Sequence, residues 1–527
     1  MYRLMKLLMG SSRRNKRILE LQSLSGPIVT MGEDIDTKRL LLEKTFAHCS
    51  DVVFRTVSLF GSNQAVLVYV DGMIDPHSLL QGVLDSERIF EGKELLSIAE
   101  KLEQTLTIGR MHVTNMADEL VKGVLDGGLA IVLDGAQNVL IVGMEKFPSR
   151  NVEEPEAEPV VRGPREGFIE EIKTNTILLR KRLRTSRLKI ESFTLGELSQ
   201  TKVLVAYISG IATDSVVKEV RERVSTIKID GVIDSGYIEE FIEDMPFSPF
   251  PQVQNTERPD VVMANLLEGK IAILVDGSPN VLIVPMTFWS ALQNAEDYYE
   301  RFIIGSFIRW IRFLCFIIAL LLPAVYVAIS TFHPEMIPTN LLMSLAGARE
   351  TNPFPAIVEA FGMEIIFEAL REAGVRLPKQ VGSAVSIVGA LVIGQAAVQA
   401  GLVSAPIVIV VSITGIANFA IPKFNVAIGT RLLRFPMILL GGTFGLYGVG
   451  VGLLGILIHL SSLRSFGIPY FEPVAPLSLN GLKDVLIRTP HWALKLRPRL
   501  TGYQEPLRVP PGQKPAPDRN KEKGGPL

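Results

Sequence analysis

Three long runs without a charged residue restrict the fold of this chain more than any other feature. Phe313–Phe332 has 20 residues, Gln380–Pro422 has 43 and Phe435–Leu463 has 29. A helix needs about 20 apolar residues to cross a bilayer. The first run therefore predicts one crossing and the second predicts two, with a break near 401–404. The third predicts one long or kinked helix, because two helices of about 14 residues would be too short to cross.

A fourth segment, Pro355–Leu370, is apolar but carries three acids. Glu364 and Glu368 share a helix face, and Glu359 lies about 140° from Glu364. Two interpretations stand: an amphipathic helix on the membrane surface, or a crossing helix whose acids face protein or water. The positive-inside rule favours the second, and the membrane part is then predicted to cross about five times. This topology leaves the basic tail on the side opposite the N-terminus.

Composition indicates a soluble part joined to this membrane part. Hydrophobic residues make up 47% of the 527-residue chain and charged residues 21%, which excludes disorder for most of it. The formal net charge is -11 for residues 1–300 and +10 for residues 301–527. An acidic first part is a poor partner for nucleic acid, because phosphate contacts need clustered Lys and Arg.

The soluble part is an internal repeat. GGLAIVLDGAQNVLIVGM (127–144) aligns with EGKIAILVDGSPNVLIVPM (268–286), and VLVYVDG (66–72) aligns with LVAYISG (204–210). Each lobe is predicted to have an early strand, intervening helices and a late hairpin, with small mixed sheets. The predicted helices are 75–84, 92–106 and 116–125 in the first lobe and 215–226, 235–243 and 258–267 in the second. An Asp-Gly pair between apolar runs indicates a hairpin turn, and a metal or ligand site at Asp134 or Asp276 is the alternative.

The predicted fold class is therefore α/β plus membrane helices, with two repeated α/β lobes followed by an α-helical transmembrane bundle of about five spans. We divide the chain into a basic flexible N-terminus (1–30), soluble lobe 1 (31–152), a linker and helix (153–186), soluble lobe 2 (187–300), a transmembrane domain (301–463) and a Pro-rich basic tail that becomes disordered (464–527).

The helix in the linker, Phe168–Arg184, has acids early and a basic cluster late. This order matches the helix dipole and is typical of a solvated helix end. Docking onto acidic lipid or onto a partner is the alternative. The candidate inter-lobe or partner contacts are Arg162, Arg165, Glu166, Arg180 and Arg182.

No motif indicates catalysis. GVGLLG (450–455) fits a dinucleotide-binding pattern but lies in an apolar run with no preceding strand, so close helix packing is the better interpretation. The two cysteines and six scattered histidines suggest neither a disulfide framework nor a metal site. We predict a protein that is not an enzyme and has no cofactor.

The predicted helix Val381–Leu402 has two faces. Gly382, Gly389, Ala397 and Ala400 form a stripe of small residues for close packing, which also includes Ser386. A second stripe carries Gln395 and Gln399, and such a helix can line a pore. An ordinary buried bundle helix is the alternative that the residues alone favour. The candidate pore or gating residues are Ser386, Gln395, Gln399, Glu359, Glu364 and Glu368.

Four segments carry a resemblance to a known family. The most specific is NPFPAIVEAFGMEIIFEALREAGVRLPKQVGSAVSIVGALVIGQAAVQAGLVSAPIVIVV (352–411), supported by VRGPREGFIEEIKTNTILLRKRLR (161–184), PNVLIVPM (279–286) and YFEPVAP (470–476). On these residues the chain resembles the A subunit of the GerA family of spore germination receptors of endospore-forming bacteria, over roughly residues 30–500.

The resemblance implies a nutrient germinant receptor subunit in the inner membrane of the spore, with its large N-terminal domain on the cytoplasmic side. It implies a permease-like B subunit and a lipoprotein C subunit as partners, besides membrane lipid. It also implies that several copies form a nutrient-gated ion channel. Rings of Glu359, Glu364 and Glu368 would then favour cations.

Two other functions remain open from the sequence. The soluble lobes could bind the nutrient in the cleft between them, or serve as a scaffold, with the ion path elsewhere. A solute transporter is the third hypothesis, although the membrane part shows no inverted repeat.

Overall fold

The computed structural model describes residues 34–59, 63–74, 111–143, 154–155, 157–350, 352–376, 394–478, 481–498, 500–502, 504–510 and 512–515. The chain divides into two compact units. The first unit takes its residues from 1–243, 253–285 and 490–527, and the second takes them from 244–252 and 286–489. The predicted flexible N-terminus, 1–30, lies outside the described residues.

The first lobe is an antiparallel sheet with strands in the order β1-β2-β4-β5-β3. Its described elements are α1 (Ile35–Thr45), β1 (Val52–Leu59), β2 (Asn63–Val70), β3 (Met111–Thr114), α2 (Ala117–Leu125), β4 (Gly128–Leu133) and β5 (Val139–Gly143). Val68, Ala130 and Val139 are fully buried in its core, where alternate residues of the strands meet α1 and α2. The predicted helices at 75–84 and 92–106 lie outside the described residues.

The second lobe repeats this arrangement, with strands in the order β6-β7-β9-β10-β8. Its elements are α3 (Ile172–Arg182), β6 (Leu188–Leu195), β7 (Thr201–Ile208), α4 (Asp214–Thr226), α5 (Ser235–Ile242), β8 (Gln254–Thr256), α6 (Pro259–Leu267), β9 (Ile271–Val275) and β10 (Val281–Val284). The helices predicted for this lobe agree with α4, α5 and α6 to within one residue.

Both sheets are antiparallel throughout, so the prediction of mixed sheets is wrong. Short hairpin turns join β4 to β5 and β9 to β10, and such turns force neighbouring strands to run in opposite directions. The Asp-Gly turns have the predicted role, because Gly135 and Gly277 have φ of 69° and 84° at the tips of the β4–β5 and β9–β10 hairpins.

The tail returns to the second lobe. The Arg497 Nε donates to the carbonyl oxygen of Leu267 at 2.8 Å, and the Thr501 hydroxyl donates to the Glu268 carbonyl at 2.8 Å. The Arg508 guanidinium lies 2.9 Å from the Glu268 carboxylate. The tail is therefore packed as far as residue 508, and the end predicted to be disordered lies largely outside the described residues.

The second unit is mainly helical. Its elements are α7 (Phe288–Ala291), α8 (Glu296–Tyr299), α9 (Phe302–Phe332), α10 (Thr339–Arg349), α11 (Ala356–Arg376), α12 (Ala405–Phe419), α13 (Phe424–Ser462), β11 (Arg464–Ser465), β12 (Ile468–Pro469) and the 3-10 turns Pro334–Met336 and Leu482–Asp484; a further 3-10 turn, His491–Ala493, belongs to the first unit. Within the described ranges, α9 and α13 are long and apolar enough to cross a membrane.

Helix α13 is a hairpin of two arms, 424–444 and 446–462. Gly445 breaks it with φ 64° and ψ -148°. A Cβ on Gly448 would lie 2.2 Å from the Leu440 carbonyl oxygen, and one on Gly452 would lie 2.6 Å from the Met437 sulfur. Residues so far apart in sequence approach this closely only if the chain turns back. We call the end near Gly445 the tip and the opposite end the base.

The apolar run 435–463 is therefore not one long or kinked helix. Its first arm begins earlier, at Phe424, and includes Arg431 and Arg434, whose charges are neutralised by neighbouring acids. This extension makes the first arm long enough to cross, and the second arm is near the short end of the ~17–25 residues that a crossing needs.

The bundle begins and ends at its base. Helix α9 ends at the tip, where a Cβ on Gly445 would lie 3.0 Å from Cβ of Phe332. Leu460, near the end of the second arm, shares a core cluster with Phe288, which precedes α9 at the opposite end. The chain therefore enters and leaves the bundle at the same end. Five crossing helices are not shown, since α9 and α13 are the helices of the described residues that are long and apolar enough to cross a membrane.

A half-buried acid in α5 predicts a pH-dependent stability. Partial burial, together with the nearby charges of Glu243 and Asp234, raises the pKa of Glu239 from 4.5 to about 7. Because the folded state holds this proton more tightly than the unfolded state, stability falls as pH rises from about 4.5 to about 7. We expect Glu239→Gln to raise the unfolding free energy at pH 8 by about 2 kcal/mol and to leave it nearly unchanged at pH 4.5.

Thermal unfolding of the full chain at pH 4.5 and pH 8 measures this effect. Glu240→Gln is the control, because Glu240 is exposed on the same helix. Equal gains from the two variants at pH 8 would contradict the prediction.

Candidate functional site

A pair of opposite charges is buried at the centre of the helical bundle. The Arg434 Nη1 lies 2.5 Å from the Glu364 Oε2, and both side chains are 1% exposed. The Arg434 Nε also donates to the Ala319 carbonyl at 2.8 Å. This one guanidinium therefore joins α9, α11 and the first arm of α13.

A second acid follows one helical turn later. The Glu368 carboxylate lies 2.8 Å from the Arg371 Nη2 and 3.7 Å from the Arg431 Nε. Glu364 and Glu368 are four residues apart on α11, and Arg431 and Arg434 are three residues apart on α13. Both spacings place the side chains on one helix face, so the two acids meet the two arginines.

The third acid holds the beginning of α12. Glu359 accepts hydrogen bonds from the Ser404 backbone nitrogen at 3.1 Å and from its hydroxyl at 2.7 Å. Ser404 is the residue before α12, so this carboxylate lies at the positive end of the helix dipole. The Arg349 Nε is a more distant partner at 3.9 Å.

The pore role of Glu359, Glu364 and Glu368 stays a prediction, but these positions give each acid a partner within one copy of the chain. Glu359 and Glu364 are buried inside one copy of the bundle, and Glu368 has two arginine partners. The physical reason is that an acid in an apolar surrounding is costly unless a cation neutralises it. The cations are Arg431 and Arg434 of α13, which the sequence alone indicates as basic residues of a loop.

The other predicted pore residues have different positions. Gln395 and Gln399 are exposed on the helical stretch 394–399. Ser386 lies outside the described residues, as do Gly382 and Gly389. Among the residues predicted for close packing, Ala397 is half-buried and Ala400 is exposed.

Close helix packing instead involves glycines of α13, which lie against α9 and against the other arm of the hairpin. A Cβ on Gly441 would lie 2.6 Å from the Ala324 carbonyl oxygen of α9. In the GVGLLG segment, Gly452 faces the first arm, whereas Gly450 and Gly455 have open space around them. The interpretation of this segment as a packing motif therefore applies to one of its three glycines.

The buried charges are suited to holding helices rather than to chemistry. The Glu364 Oε1, the Glu368 Oε1 and the Arg434 Nη2 are buried without a hydrogen-bond partner in the described part of the chain. Pairs with unsatisfied atoms add little net stability, but loss of one partner leaves an uncompensated charge. The site therefore specifies which helix faces meet.

A second group of charges at the base was not anticipated from the sequence. Asp297 lies 2.9 Å from the Arg312 Nη1 and 3.4 Å from the Arg309 Nε. Arg309 also lies 3.5 Å from Asp484, which follows the bundle in sequence. The three-residue spacing of Arg309 and Arg312 on α9 was the available signal. Their acids lie on other elements, Asp297 on α8 and Asp484 on the 3-10 turn Leu482–Asp484, which no spacing within α9 predicts.

The first unit contains a buried ion pair between its lobes. The Arg180 Nε lies 2.6 Å from the Asp51 Oδ2, and its Nη2 lies 2.9 Å from the Oδ1. On the same helix, Ile177 packs in the core of lobe 1 and Leu179 in the core of lobe 2. Helix α3 is thus a wedge shared by both lobes. At its basic end Arg180 is buried, whereas Lys181 and Arg184 are exposed as in the predicted solvated helix end.

The remaining candidate contacts are nearer the surface. The Arg182 Nη2 lies 2.6 Å from Glu166, and the Arg165 Nη1 lies 3.1 Å from Glu154. Although partial burial acts in the opposite direction, Arg182 and Lys181 lower the pKa of Glu166. Arg162 is exposed.

Comparison with known proteins covers most of the chain. A family model described as Bacillus/Clostridium GerA spore germination protein matches residues 41–500. The uncharacterized membrane protein YfkQ of Bacillus subtilis (strain 168) is 46% identical over 466 residues, which are 88% of this chain and 90% of that protein. Spore germination protein KA of the same organism is 45% identical over 478 residues, which are 90% of this chain and 88% of that protein.

A solved structure also matches the N-terminal half. It is the crystal structure of the N-terminal domain of the A subunit of the Bacillus megaterium spore germinant receptor GerK3, which is 32% identical. The match covers 50% of this chain and 99% of that chain, with a TM-score of 0.40.

Proposed function

Because the chain belongs to the GerA family of spore germination proteins, we propose that it is the A-type subunit of a nutrient germinant receptor in the spore inner membrane. In this proposal it acts without catalysis, together with a permease-like B subunit and a lipoprotein C subunit. Several copies assemble in the lipid bilayer into an ion channel that opens when nutrient binds to the receptor.

The placement of charges supports an ion path between copies rather than inside one. The acids of α11 are occupied by arginines of the same chain, so the bundle interior offers no free carboxylates to an ion among the described residues. Gln395 and Gln399 are polar and exposed on the bundle surface. In a ring of copies such side chains can face a shared pore.

Potassium release tests the channel. The chain is expressed with its B- and C-type subunits in vegetative cells, and potassium in the medium is followed after nutrients are added. Gln395→Leu with Gln399→Leu is expected to lower the release rate by about tenfold, since a polar lining is lost. Ser412→Ala is the control, because Ser412 is exposed on α12. Nutrient-dependent release that is identical in all three proteins would place the ion path elsewhere.

The bundle begins and ends at its base, so we infer an even number of passes, and this topology predicts the side of the tail. The soluble unit and residues 490–508 belong to one compact unit, so we expect both chain ends on the cytoplasmic side. A reporter that folds only in the cytoplasm is fused to either end of the full chain. Activity at the N-terminus without activity at the C-terminus would overturn this topology.

A nutrient-binding role for the soluble lobes is the second candidate. Helix α3 and the Arg180–Asp51 pair fill the contact between the lobes, so a ligand would have to use another surface of this unit. Calorimetry of the full chain in detergent against a nutrient panel distinguishes the two roles, because saturable binding without the B subunit is expected only for the second.

A further inference from the structure

One loop of the second lobe belongs to the helical unit. Residues 244–252 leave the first unit one residue after the end of α5, and the chain returns to that unit one residue before β8. Between these points, Phe250 is 1% exposed and lies in the aromatic cluster at the base of the bundle. Its ring centroid is 6.2 Å from that of Phe288 and 6.2 Å from that of His459.

The loop touches the first arm of α13 at a glycine. A Cβ on Gly429 would lie 2.1 Å from the Pro249 carbonyl oxygen and 3.1 Å from its carbonyl carbon. No side chain fits between this arm and the backbone of the loop. Glycine is therefore required at 429 for the loop to lie against the arm.

The loop also touches the second arm and the chain that follows it. The Ser248 hydroxyl lies 2.9 Å from the His459 Nε2. The Ser465 hydroxyl donates to the Gln252 carbonyl at 2.7 Å, and the Phe466 backbone nitrogen donates to Asp244 at 2.6 Å. Both arms of the hairpin are thus held by the same nine-residue loop.

The loop is closed on itself and borders an open groove. The Gln252 amide accepts from the Met245 backbone nitrogen at 2.8 Å and donates to the Met245 carbonyl at 2.7 Å, which ties the two ends of the loop together. The groove of about 540 Å³ lies between the loop and the first arm of α13, lined by Phe247, Leu432, Phe435 and Pro436 among others. A closed loop with room beside it can move as one piece.

We propose that residues 244–252 are the coupling loop that transmits a conformational change of lobe 2 to the α13 hairpin, with Ser248, Pro249 and Phe250 as the positioning residues. The inference deepens the proposed function and rests on it. Because the loop continues α5 and leads to β8 without slack, a displacement of either element reaches both arms. A change in the packing of the arms against α9 and α11 is then the step that opens the path.

The test compares two glycines of the same hairpin. Gly429→Ala drives a methyl group into the loop backbone, whereas Gly455→Ala places it in open space. Spores that carry the full chain and its partner subunits are assayed for nutrient-triggered germination, potassium release and amount of the chain in the membrane. At equal amounts, we expect Gly429→Ala to lower the germination rate by about tenfold and Gly455→Ala to leave it unchanged.

Two milder variants test whether misfolding explains the effect of Gly429→Ala. Ser248→Ala removes the contact with His459 and the hydrogen bond that the Phe250 backbone nitrogen donates to the Ser248 hydroxyl at 3.2 Å. It is expected to raise the nutrient concentration for half-maximal response about fivefold without changing chain abundance or thermal stability. His459→Gln keeps a hydrogen-bonding group near the Nε2 position and is expected to respond as the wild type does. If Ser248 had only a structural role, Ser248→Ala would change the abundance and the unfolding temperature of the chain rather than the nutrient concentration for half-maximal response.

Two outcomes would overturn the coupling loop. One is wild-type germination by Gly429→Ala at normal abundance, and the other is an unchanged nutrient response of Ser248→Ala. The channel proposal fails separately, if wild-type spores germinate on nutrient without potassium release. In that case the germination assay still tests the role of the loop.

Discussion

Replacing Arg434 with methionine is expected to destabilise the helical bundle by about 3–5 kcal/mol, the range typical for removal of one partner from a buried ion pair. The variant leaves the Glu364 carboxylate, which is 1% exposed, without its cation 2.5 Å away. It also removes the donor to the Ala319 carbonyl. We expect a strongly reduced amount of full-length chain in the membrane and a lower unfolding temperature in detergent.

A double variant separates the pair from the rest of the packing. Arg434→Met combined with Glu364→Gln removes both charges, so it is expected to recover most of the stability lost in the single variant. Arg301→Met is the control, because Arg301 is exposed just before α9. If the single variant is as stable as Arg301→Met, the pair does not hold the bundle.

Features of the fold that depend on residues close together in the sequence could be predicted. The alternation of apolar residues around the Asp-Gly pairs predicted the two late hairpins, and the internal repeat predicted two similar lobes. The spacing of Glu364 and Glu368 correctly placed both acids on one helix face. Their partners were missed because Arg431 and Arg434 lie in a stretch that counts as a loop when only charge-free runs are considered.

Features that depend on distant parts of the chain left weaker signals. The turn of α13 at Gly445 needs one glycine with positive φ, and the run around it contains several glycines that have no such role. The loop 244–252 and the tail each make contacts within their own unit across more than 200 residues of sequence. Hydrophobic periodicity contains no information on such pairings, so these contacts emerge only from the structure.

Replacing Arg180 is expected to weaken the contact between the soluble lobes about as much as replacing Arg434 weakens the helical bundle. Its guanidinium is fully buried and makes two hydrogen bonds with Asp51, at 2.6 and 2.9 Å. Arg180→Met leaves the Asp51 carboxylate buried without its cation, so we expect a loss of about 3–5 kcal/mol in the unfolding free energy of the full chain. Limited proteolysis should then cleave the chain between the lobes sooner than in the wild type.

Two further variants show whether geometry or charge matters at this contact. Arg180→Lys keeps the charge but cannot make the bidentate contact with Asp51, so we expect an intermediate loss of unfolding free energy. Arg182→Met is the matched control on the same helix, because its partner Glu166 is partly exposed and such pairs contribute about 0–1 kcal/mol. Equal losses for Arg180→Met and Arg182→Met would mean that burial of the pair does not determine its effect. A loss confined to Arg180 would instead identify the α3 wedge as the element that holds the two lobes in one unit.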